Sequence, residues 1–415
     1  MEKGCHPYFG LGRIVSIILM MKSSTPHALI IGAGFTGCAL AYDLAQRGFS
    51  VTVFDRGEIA SGTSGRTHGL LHSGARYCVN DQESAIECIQ ENITLRRIAS
   101  QCIEYNGGLF VAIAESDLEY ASRFETGAQE CGIPIEKIST TEALRLEPNL
   151  NPRILAAYHV PDGVFDPLRL ALIFASSARA LGAEFRPYHE VSGLIINGQS
   201  AVTGLKVLDR TSAQSYEVNG DIVINAAGAW AGGVLKGSPA QVEITPTPGV
   251  MVAFDSRLVN RVLNRLIEPG DGDILIPQRR MVVIGTTSYE TEDVDYIPVD
   301  NAQVVQMYRD AADLVPSIAK ARERGRYMSA RPLLGKGQSG RSLARTFKCF
   351  DHQESDGLAN IVTIIGGKAT TCRVMAEKTA DLVCRKLGMN VECHTADSPL
   401  RSYREYYRSS GARHE

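Results

Sequence analysis

The segment Ser61-Gly-Thr-Ser-Gly-Arg-Thr-His-Gly-Leu-Leu-His-Ser-Gly-Ala-Arg-Tyr77 gathers hydroxyls, histidines, arginines and a phenol into one stretch. It is too long and too polar for a routine connection. Thr63 and Ser64 can bond phosphate oxygens, and the backbone of Gly69 and Leu70 can lie against a flat ring. His72, Arg76 and Tyr77 add a titratable group, a permanent cation and a phenol within six residues. An imidazole titrates near neutrality, which makes His72 the candidate general base. His68, earlier in the same loop, is expected to support a bound ring rather than to move a proton.

These residues need an element that holds a ligand beside them. Residues 28–37 supply one: the apolar run Ala-Leu-Ile-Ile breaks into Gly32-x-Gly34-x-x-Gly37, with a helix expected from Phe35 to Gly48. In this pattern Gly32 permits a tight turn, Gly34 lets backbone approach a pyrophosphate, and Gly37 lets helix pack on strand. The phosphates would meet unpaired N–H groups at the positive end of the helix. A second strand is expected at Ser50–Phe54, ending at Asp55, 21 residues beyond Gly34. An acid there accepts hydrogen bonds from a ribose diol and repels a 2′-phosphate. Asp55, with Arg56 next to it, therefore points to FAD or NAD and away from NADP. The glycine motif does not choose between those two; the loop running to Tyr77 favours FAD.

The 415 residues carry a net charge of −3 and are 44% hydrophobic and 21% charged, as a globular chain of two domains would be. No overall basic field argues for nucleic acid. Ten cysteines are scattered without one Cys-x-x-Cys, against an ordinary zinc knuckle or iron–sulfur run and in keeping with a reducing cytosol. Residues 1–25 are expected to be a disordered or over-extended leader, with Met20 or Met21 as the alternative start; a weak membrane-contacting segment is the other reading.

Farther along, a helix is expected over Asn80–Glu104, with Asn80 and Glu83 as its capping box and Ile86, Ile89, Ile93 and Cys102 on its buried face. Another should run from Pro167 to Leu181, and a third over 302–324. Strands are expected at Glu190–Leu208, Ser215–Ile224 and Leu358–Ile365, with another buried strand over Asp221–Gly228 and a β-rich stretch over 240–300. Gly366-Gly367 forms a turn before a helix at Thr370–Leu387. Strand–turn elements of nucleotide-binding type thus recur near residues 30, 225 and 365, which two interleaved domains explain better than two in series.

Four stretches together carry a resemblance: Gly32–Gly37 with Asp55, Arg66–Tyr77, Val160-Pro-Asp-Gly-Val-Phe-Asp-Pro167 and Ile365-Gly-Gly-Lys-Ala-Thr-Thr371. Asn225-Ala-Ala-Gly-Ala-Trp230 and Ala330-Arg-Pro-Leu333 support it. From about residue 26 to 397 the chain resembles the D-amino-acid-oxidase-type flavoproteins. More narrowly, it is similar to FAD-dependent glycerol-3-phosphate dehydrogenases, especially the large catalytic subunit of the anaerobic type.

The resemblance implies an α/β fold, a Rossmann-type FAD-binding domain with a parallel sheet (26–105, 161–235 and 331–397) interleaved with a β-rich α+β substrate domain (106–160 and 236–330), and a tail at 398–415. It implies that Arg76, Tyr77, Arg331 and Lys368 line the substrate site, with Arg331 and Lys368 joining His72 in catalysis. Ala227, Gly228, Gly366, Gly367, Lys368 and Thr370 would contact FAD together with the residues named above. The implied reaction is oxidation of sn-glycerol 3-phosphate, or a similar polyol phosphate, by hydride transfer to flavin N5. Electrons would leave to a quinone or an iron–sulfur partner subunit. The expected location is the cytoplasm, free or peripheral to the inner face of the membrane.

Three departures bear on this reading. No cysteine-bearing redox domain follows before Glu415, Thr67 stands where that group often has asparagine, and Cys372 where tyrosine is common. Two alternatives therefore stay open: an FAD enzyme for a 2-hydroxy acid such as 2-hydroxyglutarate, and an FAD-binding subunit without turnover.

Overall fold

The last four residues of the strand His27–Ile31 are buried, as a central strand covered on both faces requires. Five strands pair in parallel in the order Ile361–Gly366, Ile222–Asn225, His27–Ile31, Ser50–Phe54 and Glu184–Arg186. Phe347–Asp351 closes one edge in antiparallel fashion. The structure is a computed structural model, and it describes residues 25–270, 273–289, 291, 293–335 and 346–408. The expected leader, apart from residue 25, and the end of the expected tail lie outside the described residues.

Helices Phe35–Gln46, Pro167–Ala180 and Cys372–Lys386 share one apolar core with the inner strands of this sheet. Pro167 starts its helix, and the Asp166 carboxylate caps it by accepting from the N–H of Arg169 at 3.0 Å. Within this layer the buried Arg47 guanidinium bonds Asp43 at 2.5 Å and Asp381 at 2.8 Å, tying the first helix to the last.

A second, eight-stranded sheet runs Glu323–Leu334, Ile244–Phe254, Met281–Gly285, Ile274–Gln278, Val262–Arg265, Gly108–Ala112, Ala156–Val160 and Glu136–Ile138. Its strands come from 108–160 and 244–334, whereas those of the parallel sheet come from 27–54, 184–225 and 347–366. The two sheets thus interleave along the chain, and we propose these segments as the cores of the cofactor and substrate domains. Helix Asn301–Leu314 covers the second sheet with Val304, Met307, Ala311 and Leu314, at the spacing of one helical face. A three-stranded patch of Leu70–Leu71, Gly163–Phe165 and Ile103–Glu104 anchors the polar loop between the sheets.

Several expectations need correction. The helix expected over 302–324 ends at Leu314, because Pro316 disfavours a helical conformation at Val315; a short 3₁₀ turn follows, and Glu323–Leu334 is a strand. The helix expected over 80–104 spans Gln82–Ile98, and its cap is Asp81, accepting from the N–H of Ser84 at 3.2 Å, not Asn80. Its inward face also differs from the expected one. Ile86 and Ile93 are 38% and 63% exposed, while Ala85, Cys88, Asn92 and Leu95 are buried. The strands expected at 190–208 and 215–224 form an antiparallel meander, His189–Ile196, Val202–Asp209 and Gln214–Asn219, while the buried strand expected over 221–228 is present as Ile222–Asn225.

Candidate FAD and substrate site

The parallel strands His27–Ile31, Ile222–Asn225 and Ile361–Gly366 end at one rim, where the chain turns at Gly34, Ala226 and Gly366 onto a cavity of about 960 Å³. Ligands of open α/β sheets bind outside the carboxyl ends of the strands, where this cavity opens. Its opposite wall is the second sheet, with Met251, Ser329 and Arg331 facing inward. Its volume is that of a large ligand site.

The glycine turn is sterically committed. Gly32 has φ +103°, and a Cβ there would lie 2.6 Å from the Ala226 carbonyl oxygen. A Cβ on Gly37 would lie 1.8 Å from the Gly32 carbonyl oxygen, so helix and strand approach as closely as backbone permits. A Cβ on Gly34 would lie 2.9 Å from Ser64 Oγ, narrowing the passage in front of the helix. These cradles, and an acid ending the second strand, fit a dinucleotide whose pyrophosphate sits at the N-terminus of Phe35–Gln46. Gly37→Ala is expected to force strand and helix apart, costing about 1–3 kcal/mol of stability and most of the FAD retained through gel filtration. Parental melting and retention would contradict the close-packing role.

The expected cofactor residues fall into two sets. Gly34, Thr63, Ser64, His68, Leu70, Gly228, Gly366, Gly367 and Lys368 line the cavity, and Thr36, Thr67 and Ala226 join them without having been expected. Gly32, Gly37, Asp55, Arg56, Gly69, Ala227 and Thr370 are not among its lining residues. Asp55 stands behind the turn, its carboxylate accepting from the N–H groups of Ala33 at 2.7 Å and Gly57 at 2.9 Å. Burial raises its pKa, and the two N–H groups and Arg56 oppose that rise. Arg56 pairs with Asp295 at 2.5 Å and lies 4.5 Å from the Trp230 ring centroid, a cation–π contact. Gly69 packs under the Gln278 amide and the Phe165 carbonyl, and Ala227 packs beside Gly32. Thr63 donates to the Ala330 carbonyl at 2.8 Å, and Ser64 Oγ accepts from the N–H of Phe35 at 3.0 Å.

Three segments bring the expected substrate and catalytic residues to the same cavity. Arg331 projects from the strand Glu323–Leu334. Its guanidinium donates to the carbonyls of Thr247 (3.2 Å), Pro248 (3.1 Å) and Thr287 (2.7 Å) and to Thr286 Oγ1 (2.8 Å). These four oxygens fix the orientation of the guanidinium. Arg76 is held differently: it bonds Asp273 at 2.5 Å, Asn264 Oδ1 at 3.1 Å and the Gly270 carbonyl at 3.1 Å. Its cation is matched by Asp273, so Arg76 ties the wall together. Neither Asp273 nor Thr286 stands out in the sequence.

Lys368 follows Gly366 and Gly367, both at positive φ (+91° and +71°), where any side chain would be strained. Its Nζ lies 4.5 Å from the Tyr77 ring centroid. The His72 ring lies 5.2 Å from the Tyr77 ring and 6.3 Å from that of His68. Thr370, fully buried, accepts from the backbone N–H of His72 at 3.0 Å and so ties the Gly-Gly-Lys turn to the histidine loop.

His68 Nδ1 accepts from the N–H of Leu70 at 3.2 Å, which requires the neutral ring with its proton on Nε2. Burial first, then the cations Arg331 and Arg76, push its pKa down to about 3. A proton must therefore be taken up on unfolding below the ordinary imidazole range near 6.5, so His68 contributes stability that is present above that range and is lost as pH falls toward 3. Relative to His68→Gln, the parent is expected to lose about 2 kcal/mol of unfolding free energy between pH 7.5 and pH 5. Parallel pH profiles of denaturant unfolding for parent and variant would contradict a neutral His68.

The sequence profile of the FAD dependent oxidoreductase family (DAO) matches residues 27–382. The chain is 42% identical over 393 residues to a subunit of the anaerobic glycerol-3-phosphate dehydrogenase of Haloferax volcanii, an alignment covering 92% of this chain and 67% of that protein. It is 40% identical over 390 residues to a subunit of the anaerobic glycerol-3-phosphate dehydrogenase of Escherichia coli strain K12, covering 92% and 71%. Among solved structures, the glycerol-3-phosphate dehydrogenase of Bacillus halodurans complexed with FAD shares the fold, with a TM-score of 0.69 at 22% identity over 96% of this chain and 73% of that one.

Proposed function

This chain belongs to the FAD dependent oxidoreductase family, and within it to a group of anaerobic glycerol-3-phosphate dehydrogenase subunits, and on that premise we propose that it oxidises sn-glycerol 3-phosphate to dihydroxyacetone phosphate. The observation that carries the reading is the sharing of one cavity: Arg331, Lys368 and His72 reach it from three separate elements, and the glycine turn lines it too. When bound, FAD supplies the two-electron acceptor that takes the hydride.

The side chains divide the work. Arg331 presents a permanent cation that attracts a phosphate, with its position already fixed by four oxygens. Lys368 Nζ sits against the Tyr77 ring, where it can hold a second substrate oxygen. A ring nitrogen of His72 takes the proton of the secondary hydroxyl. Fixing the substrate at two points orients its C–H, and such pre-orientation supplies much of a rate.

The naming of the relatives as subunits supports assembly with further chains, and we propose that electrons pass to one of them or to a quinone. Among the described residues no helix is long and apolar enough to cross a membrane.

Dye-linked turnover tests the proposal. Purified protein reconstituted with FAD should reduce an artificial acceptor when given sn-glycerol 3-phosphate, with dihydroxyacetone phosphate as product. Turnover with 2-hydroxyglutarate instead would transfer the case to hydroxy acids.

A further inference from the structure

The Pro161-Asp-Gly163 motif and the helix Gln82–Ile98 have no part in the chemistry above, yet they converge on the stretch of backbone that presents His72. Asn92 is 1% exposed, and its Nδ2 donates to the carbonyls of Leu71 (3.3 Å), His72 (3.1 Å) and Pro161 (3.1 Å). One turn later on the same helix, Arg96 Nε donates to Asn92 Oδ1 at 2.7 Å. That bond fixes the amide so that its NH₂ group must face the three carbonyls. Arg96 Nη2 also donates to the carbonyls of Pro161 (3.0 Å) and Asp162 (2.9 Å), and a Cβ on Gly163 would lie 2.9 Å from that nitrogen. The buried Asp162 carboxylate accepts from the N–H of Ser73 at 2.7 Å. With Thr370 accepting from the N–H of His72, that residue's backbone is held at both its N–H and its C=O.

We propose that Asn92 is a positioning residue for His72: through the His72 carbonyl it sets the direction in which the imidazole enters the cavity, with Arg96 and the Pro161–Gly163 turn holding the amide in register. The inference rests on His72 being the base. An imidazole that must meet a hydroxyl proton at hydrogen-bond distance tolerates little drift, and a misplacement of about 1 Å can cost roughly 10²-fold in rate. Asn92 touches neither substrate nor cofactor, so its loss should leave both binding steps nearly intact.

Asn92→Asp is the informative substitution because its shape is almost unchanged. The new oxygen faces three carbonyl oxygens: ionised, it repels them; protonated, it donates to one. The flavin-loaded variant should keep its FAD affinity and its KM for sn-glycerol 3-phosphate within about threefold of the parent, while anaerobic flavin reduction slows roughly 10–100-fold at pH 8. The variant-to-parent ratio of reduction rates should rise as pH falls to 5.5. Asn92→Ser, which cannot reach all three carbonyls, should be slow at every pH, and it serves as the reporter if Asn92→Asp does not fold. Parental reduction rates in both variants would overturn the proposal, as would loss of FAD affinity in proportion to the loss of rate. His72→Asn in the same series separates the two readings. A parental rate and pH profile there removes His72 as base; a slow His72→Asn beside parental Asn92 variants removes only the positioning role.

Discussion

Arg331→Ala is expected to lower kcat/KM for sn-glycerol 3-phosphate by roughly 10²–10³-fold while leaving FAD affinity within a few-fold. Truncating one member of a buried charge-assisted contact costs about 2–5 kcal/mol, and each 1.4 kcal/mol is a factor of about ten. Four oxygens hold the guanidinium, so its cation is pre-positioned and little entropy is spent in meeting a phosphate. Arg331→Lys keeps a cation but not the fork, and should recover only part of the loss. Steady-state kinetics with a parallel FAD titration checks this. Equal losses of substrate and FAD would mean that Arg331 only ties its strand to the Thr247 and Thr287 backbone. The same substitution at Arg76 should behave in that structural way, because Asp273 already matches its charge.

His72→Asn is the second large effect. Removing a general base typically costs roughly 10²–10⁴-fold, and asparagine keeps much of the ring's bulk and polarity. In the parent, flavin reduction should rise with pH as the imidazole loses its proton and then level off. In the variant the rate should be low and that limb should vanish. Stopped-flow reduction across pH 5.5–9 reads both features. An unchanged profile would discard His72 as base. His68 does not offer itself as a substitute, since a ring held neutral to about pH 3 is a weak base.

The nucleotide end of the site is legible in the sequence because its determinants are local. Gly32, Gly37 and Asp55 act within one strand–turn–helix–strand unit, and Ser50–Phe54 forms the expected strand. Pro167 and Asp166 mark a helix start by the same kind of short-range chemistry. The substrate end is legible only as residue types. What distinguishes Arg331 from Arg76 is the set of partners, and those lie 44 to 84 and 188 to 197 residues away in sequence. Periodicity fails on Gln82–Ile98 for a related reason. A face chosen by isoleucines puts Ile86 and Ile93 inside, whereas the buried face includes Asn92, a polar residue whose partners are carbonyls of other segments. The first turn of the meander at 189–219 is marked in the sequence by Asn197-Gly198, a turn dipeptide that a single strand over 190–208 passes over.

The central claim is that the cavity joins FAD to a phosphorylated polyol. Anaerobic titration of the yellow, FAD-loaded protein tests it most directly. Added sn-glycerol 3-phosphate should bleach the flavin absorbance with one equivalent of substrate per flavin, and 2-hydroxyglutarate should leave it unchanged. Bleaching by 2-hydroxyglutarate and not by glycerol 3-phosphate, or by neither, would contradict the account.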